Sequence, residues 1–263
     1  MQISRLLSAI VVALLSVGTA QAGEFVQFPS GKVTLVGYMA RHAGPGPFPA
    51  VVLLHGCGGY HSSMMSWTDR LAAWGYVALS VDSFGPRKIE TACNGAPGHP
   101  QDAFAALHHL VQQPFVRADA VALMGFSLGG MLTLTNLEVG SIARLFPDKF
   151  RAGIAFYPIC FAASGLMPVR TLVLIGRADT WTPATDCEDM VAGKSSPGLA
   201  RLPGDRSKVK LIVYPGAPHG FDVSDLMYLS EYKLEGRVIA YDDVATKDAI
   251  VQVRAFLKAA MKD

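Results

Sequence analysis

The sequence predicts an α/β fold: a mostly parallel central sheet with helices on both faces. Short continuous apolar runs at residues 50–54, 76–81, 120–126, 152–157, 169–175 and 209–214 have the length and composition of strands buried on both faces. Helix-compatible segments separate them, and strands alternating with helices call for parallel pairing through right-handed crossovers. The glycine-rich and polar residues fall directly after the apolar runs, at 55–59, 82–87, 127, 157–160, 176–183 and 215–221. Open α/β sheets bind ligands beyond the carboxyl ends of their strands, which is where those residues would lie.

Taken in order, the chain opens with Arg5, an apolar run over 6–17 and Ala20-Gln21-Ala22, the pattern of a secretory signal peptide cleaved after Ala22. The run is short, is broken by Ser8, Ser16, Gly18 and Thr19, and lacks a stop-transfer flank, so no stable membrane anchor is expected after cleavage. Residues 23–263 are expected to form a single α/β domain. Alternating stretches at 25–28 and 34–40 flank Pro29-Ser30-Gly31-Lys32 and read as a hairpin. Helices are expected at 67–74, closed by Gly75; at 101–113, halted by Pro114; at 131–137; and, amphipathic, at about 246–262.

Composition excludes several function classes. The chain is 51% hydrophobic and 17% charged, a globular balance with no acidic or basic block. Removing residues 1–22 deletes Arg5 and no acid, so 23 basic residues become 22 against 21 acidic, net +1. Nucleic acid is not an expected partner, because binding phosphates needs a clustered positive face. Four cysteines, Cys57, Cys93, Cys160 and Cys187, lie beyond the leader, where export permits disulfides in any of three pairings. None has metal-ligand spacing, no His-Glu-x-x-His occurs, and His108 and His109 are adjacent on an expected helix and point to different faces. Neither a metal nor a cofactor is called for. The sequence carries no signal for an oligomeric state.

The chemistry centres on Gly125-Phe126-Ser127-Leu128-Gly129. A serine at the tip of a strand-to-helix turn sits in a cramped backbone conformation, so the residues two places either side must lack side chains. A serine hydroxyl is a weak nucleophile and needs a base, itself oriented by a carboxylate. Asp179 stands just past the run ending at Ile175, and His219 just past the run ending at Tyr214. Ser127, Asp179 and His219 thus follow the chain order of α/β-hydrolases. The alternative roles are a helix cap near Asp186 for Asp179 and an ordinary loop histidine for His219. Rival acids Asp186, Asp189 and Asp222, and rival bases His61, His99, His108 and His109, do not follow a strand directly; His55 does, and reads as structural. Acyl transfer also needs two donors for the oxyanion. The amide of Leu128 at a helix N-terminus and, after the early strand, that of Cys57 are the candidates. Losing one such donor commonly costs about 3 kcal/mol of transition-state stabilisation, so the Cys57 loop should be rigid, and a disulfide would supply the rigidity.

These residues resemble the dienelactone hydrolase family of the α/β-hydrolase superfamily. The matching pieces are Leu53-Leu54-His55-Gly56-Cys57-Gly58-Gly59, Asp82-Ser83-Phe84, Gly125 to Gly130, Ala155-Phe156-Tyr157-Pro158, Gly176-x-x-Asp179-x-x-Thr182-Pro183, Tyr214-Pro-Gly216-x-x-His219-x-Phe221 and Asp243-Val-Ala-Thr-x-Asp-Ala249. The resemblance spans nearly the whole chain beyond the leader. It implies the α/β-hydrolase fold and a small ester or lactone as substrate. Two departures stand out. The namesake enzymes carry a cysteine nucleophile and a glutamate in the oxyanion loop, where this chain has Ser127 and Gly56. They hold a substrate carboxylate with two arginines, where this chain has Arg87, one position out of register, and Val223. A general carboxylic ester or lactone hydrolase is therefore implied rather than an enzyme for dienelactone itself. The superfamily's sheet order further implies the bridges Cys57 with Cys93 and Cys160 with Cys187. Arg87 and Trp181 are the candidate substrate-binding residues. A peptidase or a thioesterase on the same fold stays open, because fold and triad do not fix the leaving group, and so does a non-catalytic binding protein.

Overall fold

The computed structural model describes residues 20–95, 98–194, 203–229 and 232–262, so most of the expected leader lies outside the described residues. The described residues contain ten strands: β1 (Ala20–Ser30), β2 (Val33–His42), β3 (Phe48–Leu54), β4 (Val77–Asp82), β5 (Val116–Phe126), β6 (Ala152–Phe156), β7 (Arg170–Gly176), β8 (Val209–Tyr214), β9 (Tyr232–Leu234) and β10 (Arg237–Ile239). The first eight form one sheet in the order β1-β2-β4-β3-β5-β6-β7-β8. The hairpin β1–β2 and the pair β2–β4 are antiparallel, and every pair from β4–β3 to β7–β8 is parallel. Ala20 and Gln21 pair with His42 and Arg41 ahead of an irregularity in β1, so cleavage after Ala22 would leave the regular ladder from Glu24 to Ser30 intact.

The central strands are apolar along their length because helices cover both faces of the sheet. Ala50 to Leu53 and Val121 to Met124 are inaccessible to solvent. The helices are α1 (Ser62–Ala73), α2 (Gln101–Val111), α3 (Leu128–Leu137), α4 (Ala184–Ala192) and α5 (Asp243–Ala260). Three begin earlier than expected from the sequence, each for a local reason. In α1, Ser63 and Met64 extend the buried face of Trp67, Thr68 and Leu71 by one turn. α3 starts at Leu128, because the strained turn places helical backbone directly after Ser127. α5 starts at Asp243, where the Asp242 side chain accepts from the Ala245 amide.

The segment after His219 contains a short turn, Ser224–Leu226, and the separate antiparallel hairpin β9–β10 around Glu235 and Gly236. Ile239 at its end bridges to His219, which joins the hairpin to the carboxyl end of the main sheet. Among the described residues no helix is long and apolar enough to cross a membrane.

Candidate active site

Ser127 lies between β5 and α3 with φ of 53° and ψ of −112°, a conformation costly for a residue with a side chain. The glycines either side explain how the turn exists. A Cβ on Gly125 would meet the Gly129 carbonyl oxygen at 2.0 Å, and one on Gly129 would meet the Leu54 carbonyl oxygen at 2.3 Å. The Ser127 amide donates to the Phe156 carbonyl at 2.9 Å, tying the turn to the end of β6.

The two neighbouring strand ends deliver the remaining groups. Arg177 N donates to Tyr214 O and Ala178 N to Ala217 O, so the loops leaving β7 and β8 are held to one another. In this frame His219 Nε2 lies 3.0 Å from Ser127 Oγ, and His219 Nδ1 lies 2.7 Å from Asp179 Oδ2. Asp179 Oδ1 accepts from the amides of Trp181 and Thr182 at 2.8 and 2.9 Å. Thr182 Oγ1 lies 2.8 Å from Asp179 Oδ2 and 3.1 Å from the Tyr157 carbonyl oxygen. Burial pushes the Asp179 carboxyl up, but the hydrogen bond and charge of His219 and the Thr182 donors outweigh it and hold the group below its ordinary value. Asp179 does not cap α4, whose N-cap position is Pro183.

A second buried carboxylate stands behind this chain. Asp222 accepts from Trp67 Nε1 and from Tyr157 Oη, both at 2.7 Å. The Tyr157 ring lies 4.6 Å from the His219 ring, and Tyr157 has φ of 35°. Burial pushes Asp222 above the usual carboxylate range despite these two donors, and pushes the Tyr157 phenol up as well. Sequence reasoning passed over Tyr157, Asp222, Thr182 and Trp67 as a group. Asp222 is set aside by the rule that acids should follow a strand directly, and its link to Trp67 spans 155 positions.

The other residues named from the sequence divide clearly. Cys57 and Trp181 line the cavities beside Ser127, and Leu128 occupies the first helical position, where its amide has no partner within the helix. The bridges Cys57–Cys93 and Cys160–Cys187 are present, and Cys57 O accepts from Ala92 N and Thr91 Oγ1. His55 Nε2 accepts from the Ser83 amide at 3.2 Å, a structural role. Arg87, the other expected substrate-binding residue, is held within the fold. Its guanidinium forms two hydrogen bonds, of 2.8 and 2.9 Å, to the wholly buried Asp102 and a third to Ser83 O, and it lines neither cavity at Ser127. A buried carboxylate that loses its guanidinium partner is costly, so this pairing ties Arg87 to the fold. Val223 lines the cavity as an apolar residue. Of the rival bases, His61 lines the cavity, with burial holding its imidazole below its ordinary value, but it bonds Ser63 rather than Ser127.

Comparison with known proteins agrees with this architecture. A Synechocystis protein that carries carboxymethylenebutenolidase as a provisional name is 23% identical over 74% of this chain and 85% of its own. A Bradyrhizobium protein provisionally named a 2-oxo-3-(5-oxofuran-2-ylidene)propanoate lactonase is 24% identical over 76% and 84%. Among solved structures, a dienelactone hydrolase-like promiscuous phosphotriesterase from metagenomic libraries superposes with a TM-score of 0.70 at 20% identity, covering 93% of this chain and all of that one. The model of the dienelactone hydrolase family matches residues 35–261, so the loops bearing Ser127, Asp179 and His219 all fall inside the match, and the chain belongs to that family.

Proposed function

We propose that this protein is an exported serine hydrolase that cleaves a small carboxylic ester or lactone through an acyl-enzyme, with residues 23–263 as its single domain. The observation that carries the reading is the continuous hydrogen-bonded chain from Ser127 Oγ through the His219 imidazole to Asp179, beside an apolar cavity of about 290 Å3. In the first half-reaction Ser127 Oγ bonds to the ester carbonyl carbon as its proton passes to His219 Nε2. The carbonyl oxygen becomes an oxyanion facing the amides of Cys57 and Leu128. Collapse of this intermediate breaks the bond to the alcohol oxygen, which takes the proton from Nε2. Water then attacks the acyl-enzyme by the same route and returns the proton to Ser127. Asp179 keeps Nδ1 protonated and Nε2 free as the base.

The apolar leader and the two disulfides support a secreted or periplasmic location, since such bridges persist in oxidising compartments. Fluorophosphonate labelling tests the mechanism. A single adduct on Ser127 is expected, with short p-nitrophenyl esters turned over and aminoacyl anilides left intact. Full ester turnover by Ser127→Ala would overturn it.

A further inference from the structure

Two cavities meet at Ser127, and their walls differ. The first, of about 290 Å3, runs beneath the β9–β10 hairpin and is lined by Phe126, Val223, Leu226, Leu234 and Ile239 beside His219. The second, of about 400 Å3, lies between the Cys57–Cys93 bridge, Met131 of α3 and Ile159, with Asp186 and Arg237 on its wall. Ser127, Cys57 and Trp181 line both, whereas His219 lines only the first and Leu128 only the second. Leu234 of β9 reaches over the oxyanion loop: its Cδ2 lies 3.9 Å from where a Cβ on Gly58 would stand.

An ester carbon bonded to Ser127 Oγ carries three other groups: the oxyanion, the leaving oxygen and the acyl carbon. The leaving oxygen must take the proton held on His219 Nε2, so it departs on the side where His219 is exposed, the first cavity. The oxyanion is turned to the amides of Cys57 and Leu128. The second cavity is what remains for the acyl carbon. Resting on the acyl-enzyme reading above, we infer that the substrate is an open-chain ester with its apolar alcohol portion beneath β9–β10 and its acyl portion between α3 and the Cys57–Cys93 bridge. An apolar cavity of about 150 Å3 suffices for a benzene ring, so each chamber admits a ring-sized group. A five- or six-membered lactone ties both portions into one compact ring and leaves most of both walls without contact, forgoing the remote binding energy that drives the chemical step.

Two matched ester series test this, acetates of alcohols from methyl to 1-naphthyl and methyl esters from acetate to octanoate, with γ-butyrolactone and δ-valerolactone alongside. Each methylene that enters a chamber is expected to raise kcat/KM about fourfold until the chamber is full. The best open-chain ester should exceed both lactones by at least about tenfold. Variant-to-wild-type ratios on one substrate cancel leaving-group chemistry. Leu234→Trp should lower kcat/KM for 1-naphthyl acetate at least about tenfold and for methyl hexanoate less than about threefold, and Met131→Trp the reverse. If Leu234→Trp or Met131→Trp fails to fold, Leu234→Ala and Met131→Ala should move the preferred size upward in the alcohol series and the acyl series respectively. Crossed or equal effects, or a preferred lactone, would overturn the assignment while Ser127 still labels with fluorophosphonate. Failure of Ser127 to label would instead overturn the acyl-enzyme reading and this one with it.

Discussion

Two buried aspartates flank the tilted ring contact of Tyr157 with His219, and the fold treats them in opposite ways. Asp179 has four donors within reach, one of them an imidazole, and is held below its ordinary value. Asp222 has the Tyr157 hydroxyl, the Trp67 indole and its own amide as donors, all neutral, and burial pushes it above its ordinary value. Both are almost inaccessible to solvent, at 4% and 6% exposure, but Asp222 is packed within more protein than Asp179. The imidazole hydrogen-bonded to Asp179 and the deeper surroundings of Asp222 separate the two. A carboxylate that must remain an anion to orient a base is surrounded by backbone amides and an imidazole. One that braces aromatic side chains can dispense with full compensation. Under the proposed mechanism Asp179 serves the reaction and Asp222 the architecture behind it.

The largest test of that division is Asp179→Asn. The amide can present the wrong group to His219 Nδ1 and leave the imidazole in the wrong tautomer, so kcat should fall by about 10^4-fold with the fold intact. Asp222→Asn, measured in the same assay, should lower kcat by less than about tenfold. Comparable losses from the two would erase the distinction.

Next in size is stability. Asp222→Ala strands the Trp67 indole N–H and the Tyr157 hydroxyl away from water. Each buried orphan costs about 1–3 kcal/mol, so a loss of about 3 kcal/mol or more is expected in urea denaturation, with the m-value unchanged. A loss below about 1 kcal/mol would show that water replaces the carboxylate and that the brace is dispensable.

The pH dependence sharpens the comparison because the two signs differ. Asp179 has a depressed folded-state value, so its contribution to stability is full above the ordinary carboxylate range and disappears as pH falls through that lower value. Asp222 has a raised one, so its contribution is full below the ordinary range and is lost as pH rises through the raised value. In thermal melts from pH 3 to 8, the gap in Tm between wild type and Asp179→Asn should narrow toward acid. The gap between wild type and Asp222→Asn should narrow toward neutral pH. Parallel curves would remove the electrostatic basis for separating the two sites.

The same contrast shows what was legible in the sequence. Ser127, Asp179 and His219 each follow an apolar run within a few residues, so strand periodicity and the rule that sites gather at strand ends bring them together without long-range information. The sheet was readable for the same reason, since its central strands are unbroken apolar runs. Asp222 sits in a loop, and its partners come from α1 and from the end of β6, so only the tertiary fold discloses its role. The partner of Arg87 is hidden for a related reason: the helix that supplies Asp102 is legible, but the pairing is not. The hairpin β9–β10 was missed because its three-residue strands, Tyr-Lys-Leu and Arg-Val-Ile, are too short and too polar to announce themselves.

The smallest effect comes from the hydroxyl nearest both networks. Thr182 Oγ1 lies within 2.8 Å of Asp179 Oδ2, 3.1 Å of the Tyr157 carbonyl and 3.2 Å of His219 Nδ1, but it has one proton and donates to one acceptor at a time. Thr182→Val removes that donor and leaves Asp179 the two amides and the imidazole, so the carboxylate stays ionised and the histidine keeps its orientation. The expected cost is about 1 kcal/mol of stability and less than about tenfold in kcat, with KM unchanged. Denaturation and steady-state kinetics on the one variant read both. A kcat loss approaching that of Asp179→Asn would mean that the hydroxyl, rather than the charge it shares, fixes the imidazole. The difference between the two aspartates would then lie in one side chain and not in the burial and charge around each.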